Sequence, residues 1–422
     1  MKFITTIFIC CLITASATAQ RVCSTADYTS KLLQQYPSLS ASYNAVEDHI
    51  RRTLNFYAAA RDTAPNEVIV VPVIVHVLYK SNEQNITEAQ VKSQIDVLNK
   101  DYRRKNADTI NTPAVFKNLA ADVRIVFCLA QVDPNGKRTK GIIRKHTNND
   151  YFTTDDGMKY TASGGDDAWN CKRYLNIWVC NLGSRLLGYA APPGGPADRD
   201  GVAISYDAFG TVGTLRAGFN KGRTATHEIG HWLGMKHLWG DIDCGDDDVF
   251  DTPRQRSYNY GCPVFPHATA CSPNSNGDMF MNFMDFTDDA CMNEFTTGQK
   301  DRMRALFAAG GPRNSFLNSF VCDSSLAQGG PLPDDPVDAV VPAPDPVKIY
   351  PNPTADLVTV TCKTAATLVG KMLKVYTMTG NPVLMQQLKT GTNTISLKSL
   401  PQGIYMIHID TDTRTTVTIV RL

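Results

Sequence analysis

The longest apolar run outside the first twenty residues is "NEVIVVPVIVHVLY", residues 66–79. It is rich in β-branched residues and nearly unbroken, which predicts a strand buried on both faces. "ADVRIVFCLA", "KGIIRKH", "YLNIWVCNL" and "DGVAISYDAFG" are shorter runs of the same kind and predict further strands. "TEAQVKSQIDVLNKDYRRK" spaces Val91, Ile95 and Leu98 as one face of a helix, with Thr87 placed to cap its start. A second helix is expected from about Arg223 to Gly234. Strands mixed with two such helices predict an α/β sheet backed by helices. Residues 21–60 are polar and helix-prone. Residues 347–422 alternate Val, Ile and Tyr with Thr, Lys and Gln, with turns at "TMTGNP" and "LPQG". That pattern predicts a small all-β sandwich.

The remaining stretches divide the chain. "MKFITTIFICCLITASATAQ" sets a lysine before an apolar run too short to span a bilayer, then small residues. This is a secretory signal, cut near Ala19 and Gln20. No later stretch is apolar for long enough to cross a membrane. Residues 323–346 are rich in Pro, Asp and Gly and read as a linker. The expected order is a signal (1–19), a pro-segment (20–60), a catalytic domain (61–322), the linker (323–346) and the sandwich (347–422).

Composition adds two constraints. Lys plus Arg number 42 against 41 Asp plus Glu, which gives no reason to expect nucleic acid or an anionic membrane as partner. Export lets cysteines pair. Cys10 and Cys11 leave with the signal. Cys244, Cys262, Cys271 and Cys291 crowd a segment with little regular pattern, where two disulfides would hold loops lacking a core of their own. Their spacing alone allows three pairings. Spacing pairs none of Cys128, Cys171, Cys180, Cys322 and Cys362.

The densest chemistry is "THEIGHWLGMKH", residues 226–237. Residues four apart on a helix share a face, so His227 and His231 can reach one ion. Glu228 points beside that ion and can hold and deprotonate a water there. Gly234 tolerates positive φ, so the helix can end and the chain turn back. His237 then completes three imidazoles with one position open, a donor set suited to catalytic zinc. The full H-E-x-x-H-x-x-G-x-x-H spacing is far more specific than its first half.

This motif resembles that of the metzincin zinc endopeptidases. "YLNIWVCNLGSRLLGYAAPPGG", "DGVAISYDAFGTVG", "DTPRQ" and "NFMDFTDDACMNEFTTGQ" narrow the resemblance to the pappalysin, or cytophagalysin, branch, across roughly residues 68–310. The resemblance implies an upper half with a twisted mixed sheet, backing helices and the active-site helix. It implies an irregular lower half with a methionine turn at Met284 and a helix near "TTGQKDRMRALFAAG". Protein or peptide substrates would lie extended against an edge strand. It also implies the pairs Cys244–Cys271 and Cys262–Cys291, and calcium near "DIDCGDDDVFDTP", through some of Asp243, Asp246, Asp248, Asp251 and Thr252. Two departures stand out. Relatives often carry tyrosine where this chain has Phe286, and an acidic residue where Ala290 precedes Cys291; here Asp288 and Asp289 come just before.

Near the expected mature start, "QRVCSTADY" offers Cys23 as a thiolate that could fill the open metal position and keep a zymogen silent. The "AAARDT" stretch around Arg61 is the expected activation cut. Residues 347–422, with "KIYPNPTADLVTV" and "LPQGIYMIHI", resemble the C-terminal sorting domain of Bacteroidetes proteins exported by the type IX secretion machinery. That implies a secreted or surface-bound protein of a Gram-negative cell. Two functions compete: a secreted zinc endopeptidase, and a binding or adhesion protein on an inactive metzincin scaffold. Retention of Glu228 with all three histidines favours the enzyme.

Overall fold

The computed structural model describes residues 22–59, 67–268, 271, 276–328, 347–362, 368–377, 381–409 and 415–422. The expected signal, the expected cut at Arg61 and most of the expected linker lie outside the described residues. The chain divides into two compact units, one ending at Gly330 and the other starting at Pro331.

The first unit is built on β1 (Ile69–Tyr79), in which all but the second and last residues are buried. Its apolar side chains on both faces require cover on both. β2 (Ile125–Leu129) runs parallel to residues 69–73, β3 (Ile142–His146) to residues 75–79, and β4 (Leu175–Cys180) to residues 73–77. The antiparallel β5 (Gly188–Ala190) pairs with β6 (Val202–Ser205), which is parallel to β4. The order β2-β1-β4-β6-β5 leaves β5 at the edge. The mixed sheet expected for the fold is therefore present.

One face of the sheet packs on α3 (Glu88–Asp101) and α4 (Arg223–Trp232). Val73, Val75 and Val77 of β1 share that core with Val91, Ile95 and Leu98 of α3 and Ile229 of α4. The Thr87 hydroxyl accepts from Gln90 N at 3.1 Å, a cap worth about 1 kcal/mol. The opposite face carries Trp178, Cys180, Tyr189 and Ala203, covered by Tyr28 and Leu32 of α1 (Thr25–Gln35). α2 (Leu39–Ala59) adds Val46 and Ile50 to the first core, beside Met303 of α5 (Thr297–Ala305). The helices of the expected pro-segment are thus packed into this unit. Disulfides join Cys128 to Cys322, Cys244 to Cys271 and Cys262 to Cys291. Among the described residues no helix is long and apolar enough to cross a membrane.

The second unit is all-β. It comprises β7 (Lys348–Tyr350), β8 (Leu357–Thr361), β9 (Met372–Thr377), β10 (Pro382–Gln387), β11 (Thr392–Ser396), β12 (Gly403–Ile409) and β13 (Thr415–Arg421). These form antiparallel sheets in the orders β10-β9-β12-β13 and β11-β8-β7. Alternate residues such as Val358, Val360, Leu373, Val375, Ile395 and Ile407 fill the core between them.

Candidate metal centre

The active-site helix is fixed before its first histidine. Its N-cap, Gly222, has no side chain to offer. Asp289 replaces it, accepting from Lys221 N at 2.8 Å and Arg223 N at 3.2 Å, where the helix dipole favours an anion. Asp289 thereby lies under the helix start. From α3, Asp101 accepts from the Thr226 hydroxyl at 2.7 Å, and Arg223 Nε stands 3.0 Å from its carboxylate. Burial pushes Asp101 up to about 7, against the pull of Arg223. The Tyr102 hydroxyl donates to Thr226 O at 3.0 Å. These contacts set the rotation of the turn that presents His227.

The helix ends at Trp232, two residues short of the expectation, because Gly234 takes φ +79°. Met235 N donates to Gly230 O at 3.0 Å and closes the turn. Arg302 Nε donates to Gly234 O at 3.1 Å. The chain then brings His237 back to the helix.

Each imidazole has one nitrogen occupied. His227 Nδ1 donates to Phe283 O at 2.7 Å, His231 Nδ1 to Met235 O at 2.8 Å, and His237 Nδ1 to the Asp241 carboxylate. The proton on each Nδ1 leaves each Nε2 as an acceptor. The three Nε2 atoms lie 3.0, 3.1 and 3.3 Å apart. Acceptors cannot bond one another, so that spacing suits a shared cation. Three N–Zn bonds of about 2.0–2.1 Å at tetrahedral angles separate the nitrogens by roughly 3.3 Å, so the residues fit the metal. Burial, then the neighbouring His237, hold the His231 imidazole down to about 3, which keeps it neutral.

Met284 is fully buried beneath the helix. A Cβ on Gly230 would stand 2.5 Å from its sulfur, so the glycine between the first two histidines admits the methionine. Phe286 packs edge-on to His237, at 4.8 Å between ring centroids, and stacks with Tyr258. Asp285 between them is buried and accepts from Asn259 N and Asn259 Nδ2, both at 2.8 Å, and Gln255 Nε2 at 2.9 Å.

Glu228 reaches the edge strand. A Cβ on Gly188 would meet Glu228 Cγ at 2.8 Å. Glu228 Oε2 accepts from the Thr25 hydroxyl at 3.1 Å and from Cys23 Sγ at 3.4 Å. Ligand atoms of Cys23, His227, His231 and His237 all lie within 4.8 Å of one another. Residues 22–25 run parallel to β5. Leu187 N donates to Val22 O at 3.1 Å, Ser24 N to Gly188 O at 3.3 Å, and Ala190 N to the Thr25 hydroxyl at 2.9 Å.

The five residues expected at calcium turn to separate partners. Asp243 accepts from Arg256 at 3.0 Å, Asp246 from Arg254 at 2.6 Å, and Asp248 from Lys236 at 2.5 Å. Asp251 accepts from the Thr296 hydroxyl at 2.7 Å and Gly298 N at 2.9 Å, while the Thr252 hydroxyl donates to Asp247 at 2.8 Å. Reading the sequence missed Asp241, Asp101 and Thr25, and it named Asp289 only as a neighbour of Ala290, not as the anchor of the helix. Only Asp241 left a signal, a carboxylate four residues past the third histidine, and the density of neighbouring aspartates hid it.

Comparison with known proteins gives the family. Residues 159–308 match the peptidase family described as pregnancy-associated plasma protein-A, and residues 348–421 match the secretion system C-terminal sorting domain. An extracellular metalloprotease of Verticillium alfalfae is 34 % identical over 256 residues, 58 % of this chain and 79 % of the relative. Tannerella forsythia promirolysin, solved as a point mutant, is 45 % identical, with TM-score 0.65 over 71 % of this chain and 97 % of the other. Mature mirolysin with a cleaved peptide is 48 % identical, with TM-score 0.60 over 63 % of this chain and all of the other. The chain belongs to the pappalysin branch of the metzincins: it is a secreted zinc endopeptidase, made as a zymogen and carrying a type IX sorting domain.

Proposed function

We propose that His227, His231 and His237 hold the zinc through Nε2, that Glu228 is the catalytic base, and that residues 22–25 keep the precursor silent. The spacing of the three Nε2 atoms, each with its Nδ1 already bonded, carries this reading. Bound there, zinc supplies Lewis acidity to the substrate carbonyl and lowers the pKa of an attacking water. Glu228 takes that water's proton and passes it to the leaving amine. Ala190 N and Gly188 O, now bonded to the pro-segment, become the main-chain donor and acceptor for an extended substrate. Phe286 has no hydroxyl to offer the developing oxyanion. Cys23 supplies a fourth ligand in the precursor, and the Thr25 hydroxyl occupies Glu228.

The functional division we propose is signal 1–19, pro-segment 20–60, catalytic domain 61–322, linker 323–346 and sorting domain 347–422. Calcium is proposed at the acidic run on family resemblance. A cation there would displace Lys236, Arg254 and Arg256 from Asp248, Asp246 and Asp243.

Digestion of a denatured protein by the matured enzyme, with and without a zinc chelator, tests the mechanism. The chelator should stop cleavage. Glu228→Ala should lower it by about 10²–10⁴-fold while zinc stays bound. Cleavage that survives both treatments overturns the assignment. Cys23→Ala should give a precursor that cuts itself early, and an equally stable precursor overturns the role given to Cys23.

A further inference from the structure

The pro-segment fills a second site besides the metal centre. Tyr28 of α1 is only 1 % exposed. Its ring lies 4.9 Å from that of Tyr189 in β5, on the face of the sheet away from α4. Its hydroxyl donates to Asp156 Oδ2 at 2.7 Å. Asp156 also accepts from the Tyr189 hydroxyl at 2.9 Å and pairs with Lys159 Nζ at 2.8 Å. The Arg199 guanidinium stands 3.4 Å from the oxygen that Tyr28 uses, and Lys159 Nζ lies 5.2 Å from the centre of the Tyr28 ring. Asp156 sits at φ +66°, a left-handed conformation that Asp tolerates and this network holds.

All of these groups except Tyr28 belong to the part that remains after maturation. Release of the pro-segment leaves a socket with an aromatic wall, a carboxylate floor and a cationic rim. The socket adjoins the strand that a substrate must follow. Neighbouring residues on a strand face opposite ways. Gly188 lies against Glu228, and Tyr189, the next residue, faces the socket. A peptide laid along β5 therefore sends a side chain near its reacting bond to the same face as Tyr189.

We propose that the socket vacated by Tyr28 is a substrate subsite selecting tyrosine close to the scissile bond, with Asp156 accepting from the phenol and Tyr189 packing on its ring. This rests on the peptidase reading of the cleft. Phenylalanine would fill the space but leave a buried carboxylate oxygen short of a donor. Lysine or arginine would add a third cation beside Lys159 and Arg199, which share the Asp156 carboxylate, with the exposed Asp198, 3.8 Å from Arg199, besides.

A positional-scanning peptide library, varied for three residues on each side of the cut, tests this on matured enzyme. A tyrosine preference is expected at one position, about tenfold over phenylalanine in kcat/KM, the loss that one unmade hydrogen bond to a carboxylate brings. In Asp156→Asn the tyrosine-to-phenylalanine ratio should fall severalfold. The ratio is read within each enzyme, so a general loss of rate cancels. A wild-type profile without tyrosine preference, or a ratio unchanged in the variant, overturns the subsite. If Asp156→Asn does not fold, the wild-type profile alone decides. Selective loss of the preference leaves the peptidase reading standing. Failure to cut any peptide defeats that reading, and the subsite falls with it.

Discussion

Two stretches rich in metal-binding side chains lie a few residues apart, and they behave in opposite ways. Between 227 and 237 three imidazoles meet with their Nε2 atoms 3.0–3.3 Å apart. Between 241 and 252 the carboxylates turn away from one another, several to a lysine or arginine of their own. Two physical differences separate them. A helix fixes the directions of His227 and His231 before any ion arrives, and the turn at Gly234 fixes His237. The acidic stretch runs through left-handed residues, Asp241 at φ +61°, Cys244 at +56° and Asp248 at +60°, which scatter its side chains. Three converging imidazole lone pairs also repel less than charged carboxylates would, and one divalent ion offsets that repulsion. Density of ligand-type residues thus marks a preformed site only where the backbone has already aimed them.

Substitution within the first stretch should give the largest effects. His237→Ala should bring bound zinc and peptide cleavage to background, while Asp246→Ala leaves both near wild type. Zinc content after dialysis and a peptidase assay measure the contrast. If Asp246→Ala also strips the zinc, the two regions are one site and the contrast fails. Asp241 lies at the border. It sits in the acidic run yet bonds His237 Nδ1. Asp241→Asn should weaken zinc binding by about 10–100-fold, as loss of a carboxylate behind a ligating histidine does. Competition with a chromophoric chelator reads this directly, and an unchanged affinity would deny Asp241 its part in aiming the imidazole.

A smaller effect tests whether the helix is aimed from behind. Asp101 is fully buried, and burial raises it from 3.8 to about 7 despite Arg223. The folded state therefore holds this proton more tightly than the unfolded chain does. The stabilisation is complete below about pH 4 and is lost as pH rises through about 7. The melting temperature should fall across that window by the equivalent of a few kcal/mol at most. Asp101→Asn should flatten the fall. A variant whose profile parallels wild type would show that Asp101 does not titrate there.

Which parts of this arrangement the sequence revealed follows from the same contrast. β1 was legible because its apolar residues run unbroken, and α3 because Val91, Ile95 and Leu98 keep one period behind a Thr87 cap. His227 and His231 were legible for the same reason: a local period set their direction. β5 was not, since Gly188, Tyr189 and Ala190 carry no alternation, and long-range pairing with residues 202–204, not a local pattern, makes them a strand. The roles of Asp289 and Asp101 were invisible because the two act across gaps of 66 and 125 residues, on Arg223 N and the Thr226 hydroxyl. Asp243, Asp246 and Asp248 were named from a crowd of carboxylates and a family resemblance, neither of which says where a loop points.

The smallest expected effect bears on those aspartates. Their partners are exposed, with 60 % of the Arg256 and Arg254 side chains and 42 % of Lys236 accessible. Each such pair is worth about 0–1 kcal/mol, so Asp243→Asn, Asp246→Asn and Asp248→Asn together should lower the melting temperature by only a few degrees. Calcium makes the measurement discriminating. A cation tenfold above its Kd stabilises the folded state by about 1.4 kcal/mol, again a few degrees. If the acidic run gathers calcium, wild type gains this rise, the triple variant does not, and equal ionic strength of sodium chloride fails to reproduce it. The carboxylates would then be aimed by the cation itself, the reverse of the imidazoles. A melting temperature indifferent to calcium would leave the lysine and arginines as the partners these residues keep, and the contrast between the two stretches would stand at its sharpest.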